Sequence, residues 1–270
     1  MIKSIIEKIK ALPPLPSTFQ RINETVKDPE KTIADLVEII QEDPMLTANL
    51  LKIANSPLYG FQKEIKTLFQ AVSLFGMAMT RTLAANLSIK QVLKADMTPY
   101  GISSEEFASI CQLQSVLAKK WYSLVEPKKS ETLFLMALLQ ETGKVIIAQE
   151  IKERDEQKEF KEVIKSSVDI EETERTFVGS TSSEVTAEIF SHWNFDKTVI
   201  ESIRYGYDYK NAPEDIKEYS LALKVIKTAV PINSPLSEES IQRAIMILEK
   251  ENINSSVFVE RAVELGGVYA

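Results

Sequence analysis

Apolar residues recur along this chain at intervals of three and four, and polar caps or prolines separate one run from the next. That period belongs to amphipathic helices. Ile2, Ile5, Ile6 and Ile9 share one face of a first helix, which Pro13, Pro14 and Pro16 end. Ser17 starts a second helix carrying Phe19, Ile22 and Val26, and Asp28-Pro29 closes it. Thr32 opens a third, with Ile33, Leu36, Val37 and Ile40 on one side. The stretch Asp43 to Gly60, DPMLTANLLKIANSPLYG, begins with a capping Asp43 and a proline at the first helical position, and stops at Asn55-Ser56-Pro57. Leu58, Tyr59 and Phe61 then make an apolar loop whose plain reading is a core plug and whose alternative is a ligand site.

Thr67 precedes Leu68, Phe69, Val72, Leu74 and Phe75, with Gly76 as terminator, and a further helix runs from Met77 to about Lys94. MTPYG at 97–101 reads as a joint between two lobes. Ser103 to Glu106 and Thr181 to Glu184 match the capping box, in which a hydroxyl and a carboxylate satisfy each other's end of the helix backbone. Between them, Glu131 to about Arg154 reads as helix interrupted near Gly143, and 152–162 as a solvated helical face. Asp196 starts another helix, and 214–229, 238–250 and 256–265 complete the set. No strand pattern persists and no fixed-period repeat is present. The expectation is an all-α protein of two helical lobes.

Composition narrows the chemistry. Glycine is scarce, 8 of 270 residues, which disfavours glycine-rich phosphate loops. The single cysteine, Cys111, cannot form an internal disulfide and sits among Phe107, Ile110 and Leu117, as a packed thiol would. The first helix carries Lys3, Glu7, Lys8 and Lys10, so it is not read as a signal peptide, and no membrane span is expected. A cytoplasmic protein is expected. Residues 1–120 hold 14 Lys+Arg against 12 Asp+Glu, whereas the rest hold 18 against 27. An acidic second half disfavours nucleic-acid binding, whose affinity comes mainly from neutralising phosphates.

The segments LPPLPSTFQRI, EDPMLTANLLKIANSPLYG and TLFQAVSLFGMAMTRTLA closely resemble the HDOD family, bacterial signalling domains related to HD-type metal phosphohydrolases. The resemblance covers residues 12–208. It implies an N-terminal helical lobe (12–101), an HD-phosphohydrolase-like helical lobe (102–208) and a C-terminal helical extension (209–270). HD enzymes use histidines and a His-Asp pair to hold divalent ions that activate water for phosphoester hydrolysis. At the matching positions this chain has Gln114, Gln140-Glu141 in place of the His-Asp pair, Ser182, and Gly206-Tyr207 within Arg204-Tyr205-Gly206-Tyr207.

One histidine and one cysteine cannot by themselves build a multi-histidine or Cys-His metal site, and His192 stands away from the matching positions. A carboxylate-only magnesium site using Glu141, Glu184 or Asp208 is the remaining metal alternative. Gln114 lies in line with Ile110, Leu117 and Trp121, and Gln140 with Leu133, Met136 and Ala137. Buried amides need partners, since an unsatisfied one costs about 1–3 kcal/mol. Gln114, Gln140, Glu141 and Ser182 are therefore expected to form a hydrogen-bonded cluster, the alternative being that both glutamines face outward. Gly179-Ser180 lacks the context of a nucleophile elbow. Tyr205, Tyr207 and Tyr209 with Arg204 could stack a base or simply pack at a helix end.

Two functions from different classes follow. The first is a non-catalytic regulator that binds other signalling proteins, needs no cofactor, and offers Asn55, Ser56, Tyr59, Arg81 and Tyr100 as candidate surface residues. The second is a nucleotide-binding sensor or residual metal-dependent phosphohydrolase, in which Lys144 and Arg204 either hold a phosphate or are merely solvated.

Overall fold

The computed structural model describes residues 2–61 and 63–269, and every regular element among them is helical. The chain divides into two compact units, Pro13–Lys94 and Met1–Leu12 with Ala95–Ala270. The division falls at Lys94, a few residues before the expected joint, and the segment 97–101 belongs to the larger unit, where Met97 and Tyr100 are buried.

The smaller unit contains α2 (Ser17–Lys27), α3 (Ile33–Gln41), α4 (Pro44–Ala54) and α5 (Leu68–Val92). Its helices start where side chains can satisfy free backbone amides. Thr32 and Asp35 form a capping box, Asp43 Oδ1 accepts from Leu46 N at 2.9 Å, and Thr67 pairs with Gln70 in a second box. The buried faces meet through Ile22, Leu36, Ile40, Leu46, Leu50 and Leu83, all at most 2% exposed. Gly76 breaks α5 at φ 77°, a left-handed conformation that glycine alone adopts readily. Although the whole of α5 is long and apolar enough to cross a membrane by composition, its longer continuous arm, 77–92, spans only about 24 Å and is mostly buried.

The larger unit contains α1 (Ile2–Lys10), α6 (Ser104–Val125), α7 (Pro127–Leu139), α8 (Gly143–Glu153), α9 (Gln157–Ser166), α10 (Ile170–Val178), α11 (Ser182–His192), α12 (Lys197–Arg204), α13 (Glu214–Ala229), α14 (Glu238–Lys250) and α15 (Ser256–Tyr269). The capping boxes at Ser103 and Thr181 are both formed. α6 packs on α7, α13 and α15, and α11 packs on α8 and α12. The segment 152–162 is not one solvated face. Asp155 adopts a positive φ and ends α8, and α9 then buries Phe160 and Ile164. Phe160 takes an edge-on contact from Tyr100, their centroids 5.0 Å apart. α10 was not expected from the sequence; it buries Glu171, Thr173 and Glu174 along with Ile170 and Val178.

Candidate functional site

Ends of α7, α8, α10, α11 and α13 converge with the middle of α6 on a group of buried polar side chains in the larger unit. The turn between α7 and α8 supplies Gln140 and Glu141, and the first turn of α8 supplies Lys144. Gly143 allows this turn to press against the start of α11: a Cβ there would lie 2.4 Å from the Ser182 carbonyl oxygen and 2.8 Å from Thr186 N. Gly143 N donates to Thr186 Oγ1 at 2.8 Å, fixing the approach.

The amide half of the group is as expected. Gln114, fully buried on α6, donates to Glu141 Oε1 at 2.9 Å and to the Val230 carbonyl at 2.9 Å. Gln140 donates to Gln114 Oε1 at 2.9 Å. Ser182 joins through Lys144, whose Nζ donates to Ser182 Oγ at 2.9 Å.

The ionic half was not expected. Lys144 is 1% exposed, neither solvated nor free for a phosphate. Its ammonium lies 2.6 Å from Glu174 Oε1 and 3.1 Å from Glu141 Oε2. Glu174 Oε1 also accepts from Tyr100 at 2.9 Å, and Oε2 accepts from Ser182 N at 2.6 Å. Glu171 accepts from Ser183 N at 2.9 Å and lies 3.3 Å from Lys227, which donates to Ser183 Oγ at 2.9 Å. Three buried carboxylates thus face two buried ammonium groups, with Tyr100 donating from the side.

Position explains the protonation of these groups. Burial opposes the charge on Glu141, but Lys144 and Lys227 outweigh it and hold the carboxyl below its ordinary range. Burial opposes Glu171 likewise, yet Lys227, Lys144 and Lys224 bring it down to about 2. Glu174 is pushed up by burial and by the neighbouring Glu171 charge, against the pull of Lys144. Burial would strip the proton from Lys144, but Glu141, Glu174 and Glu171 keep it raised above the usual lysine value. Tyr100, pushed well up by burial and by Glu174, stays a neutral donor.

Other candidates lie elsewhere or do other work. Tyr100 is no surface residue, because its ring and hydroxyl are committed to this interior. Gly206 is buried beside Ser183, and Tyr207 turns outward to donate to Glu172 at 2.6 Å. Tyr209 donates to Glu251 at 2.9 Å, so two of the three tyrosines pack at helix ends. In the smaller unit, Asn55 exchanges hydrogen bonds with the backbone of Ile65 at 2.8 and 2.9 Å and so ties the apolar loop shut. Ser56 caps the turn that follows, and Tyr59 packs edge-on against Phe75 at 5.3 Å. Arg81 reaches Asn23 at 3.5 Å. Glu184 is occupied by Thr181, Ser180 and Arg175, and Asp208 by Asn211, so neither meets Glu141. Arg204 pairs with Glu188 and Glu201. His192 is exposed at the end of α11, its Nε2 3.1 Å from the Leu12 carbonyl. Cys111 is buried, as expected of a packed thiol.

Glu171, Glu174 and Lys227 were missed from the sequence. One signal could have found the first two: Asp169 is a capping residue with Glu172 three positions on, and it accepts from Glu171 N and Glu172 N. Lys227 carries no such mark.

Every regular element among the described residues is helical, and the buried polar group lies where the α7–α8 turn meets the start of α11. The chain matches the HDOD domain over residues 12–209 and belongs to the HDOD family. It is similar to a virulence factor from Campylobacter jejuni subsp. jejuni, at 26% identity with 97% of both chains covered and a TM-score of 0.57. It shares its fold with a candidate signal-transduction protein from Marinobacter aquaeolei VT8, at 22% identity, 98% of this chain and 61% of that one, TM-score 0.74. A candidate phosphohydrolase from Shewanella amazonensis SB2B has the same fold, at 20% identity, 97% and 93% coverage, TM-score 0.74. An uncharacterized protein of Treponema pallidum (strain Nichols) is 24% identical over 79% of this chain, which spans 41% of that relative's length.

Proposed function

We propose that this HDOD protein is a non-catalytic signal-transduction module that acts in the cytoplasm by binding other signalling proteins. The observation that carries this reading is the place of Lys144. Its ammonium lies between Glu141 and Glu174, within 3.1 Å of both, where a relative with a metal centre would need room for a divalent ion. The residues present do not fit such an ion. Gln114 and Gln140 offer amides already engaged with each other and with Glu141, and the chain's one imidazole is on the surface at His192. Among the described residues, no group of three or more His, Cys, Asp or Glu side chains could hold a metal ion. A site whose residues do not hold a cation cannot use one to lower the pKa of a bound water towards neutrality.

A binding role draws support from the smaller unit, which leaves Met45, Phe69 and Leu74 50–63% exposed. Metal analysis of the purified protein, with a phosphodiesterase assay in manganese, tests the reading. Neither stoichiometric metal nor turnover is expected. Tightly bound metal with turnover would replace this reading with that of a residual phosphohydrolase.

A further inference from the structure

A pocket of about 260 Å³ opens in the larger unit between the start of α10, the end of α13 with the loop after it, and α14. Three carboxylates line it, and each has an ammonium close by: Glu141 lies 3.1 Å from Lys144, Glu171 3.3 Å from Lys227, and Asp169 3.4 Å from Lys224. Two further cations in the lining, Arg243 and Lys250, take part in no ion pair among the described residues. Arg243 is half-buried and donates through Nη2 to Ser240 Oγ at 3.0 Å, and Lys250 is exposed. The lining thus keeps two uncompensated positive charges in a chain whose net charge is −7.

Both cations belong to one face of α14. Arg243, Met246, Ile247 and Lys250 follow the spacing i, i+3, i+4, i+7, and all four line the pocket. At 1.5 Å per residue, the two charged residues leave the helix about 10 Å apart with apolar side chains between them. Met246 is 48% exposed, and Val168, across the pocket beside α10, is 72% exposed. Exposed apolar surface flanked by charge is the usual mark of an interaction face. A ligand that meets both cations crosses that apolar surface, which a free phosphate is too small to do. A polynucleotide meets the repulsion of a net negative chain. The cavity is also smaller than the roughly 300–1,000 Å³ that engulfs a drug-sized molecule, so it suits inserted side chains. A peptide with two carboxylates and an apolar side chain between them matches every feature. Three residues of a polyproline-II-like peptide cover about 9 Å and return to the same side.

We infer that this face docks an acidic peptide segment of a partner protein. Two carboxylates three residues apart meet Arg243 and Lys250, and an apolar side chain between them packs against Met246, Ile247 and Val168. α14 lies outside the matched residues 12–209, so the docking face is contributed by the C-terminal extension. The inference rests on the protein-binding reading and names the chemistry of the partner.

Selection of random dodecapeptides displayed against the immobilised full chain tests it, with the affinity of the winning peptides read by fluorescence anisotropy. Enrichment of acidic pairs three residues apart around an apolar residue is expected. Arg243→Glu, Lys250→Glu and Met246→Asp should each weaken binding about tenfold or more. Replacing the peptide's acidic residues by lysine should restore binding to the two charge-reversed variants and abolish it for the parent. Lys250 and Met246 are exposed, and unchanged melting of their variants would show that folding is intact. Enrichment of basic or uncharged peptides, affinity indifferent to Lys250→Glu and Met246→Asp, or displacement of the peptide by an equal concentration of inorganic phosphate would each overturn the inference. Winning peptides that lose binding on Phe69→Ser but not on Lys250→Glu would also overturn it while leaving the protein-binding reading intact. Metal-dependent turnover would sink that reading without altering the peptide result.

Discussion

The two units bury opposite things. Among the described residues the smaller unit puts no charged side chain in its interior; its buried polar groups are Thr25, Thr80, Thr82, Asn86 and Ser88. Two of these answer to their own helix, Thr80 donating to the Gly76 carbonyl at 2.8 Å and Thr82 to Ala78 at 3.1 Å. The larger unit buries Glu141, Lys144, Glu171, Glu174 and Lys227 together. An apolar interior gains by removing area from water, and any well-shaped neighbour serves. A charged interior gains only if each charge meets its partner, since desolvation can exceed the attraction. The larger unit therefore tolerates far fewer arrangements, and its polar group is the part of the molecule most sensitive to single changes.

The comparison is sharpest at Lys144. Lys144→Ala leaves Glu141, Glu171 and Glu174 facing Lys227 alone, and should destabilise the larger unit by about 3–5 kcal/mol in urea unfolding. A loss below about 1 kcal/mol would show that the carboxylates are not held by this ammonium. The variant should also melt higher in manganese while the parent does not, because the vacated carboxylates then have room for a cation. In the smaller unit, Leu83→Ala removes a fully buried side chain and should cost about 3 kcal/mol through lost contacts and a cavity, with no response to manganese.

Acid should separate the units further. Glu141 and Glu171 have folded pKa values below their unfolded ones, so their contribution is present above about 4.3 and is lost as pH falls towards about 2. Glu174, whose pKa is raised, acts with the opposite sign and above that window: its unfavourable buried charge is relieved as pH falls towards about 4.3. Stability of the larger unit should drop over that window, read by tryptophan fluorescence of Trp121 and Trp193, both in that unit. A flat profile between pH 5 and about 2.5 would contradict the ionised pairs. Gln114→Leu should cost about 2 kcal/mol by orphaning Gln140 and one oxygen of Glu141, visible as a lower urea midpoint. The smallest effect is Thr32→Ala, about 1 kcal/mol from the loss of a cap, confined to the smaller unit.

Legibility in the sequence followed the kind of burial. Helices with an apolar stripe and a capping residue, such as those opened by Thr32, Asp43, Ser103 and Thr181, could be placed to within a residue or two. The break at Gly76 was legible for the same local reason. The amides at Gln114 and Gln140 stood out because polar groups interrupted greasy faces, and both are buried and bonded. α10 was passed over because its buried face includes Glu171 and Glu174, which a hydrophobicity pattern counts as surface. Tyr100 misled in the other direction: a short polar loop reads as exposed, yet its hydroxyl meets a carboxylate 74 positions away.

The sequence by itself determined most of the helices, their starts and stops, and the two glutamines that interrupt apolar faces, because caps, periods and residue identity act over a few positions. Only the tertiary structure decided that Lys144 would sit between Glu141 and Glu174 rather than in water. Lys144 and Glu174 are 30 positions apart and on different helices, and a carboxylate on a helix looks the same in sequence whether it meets solvent or an ammonium. Whether a charge is buried depends on which helix ends meet, and that is settled by packing over the whole unit.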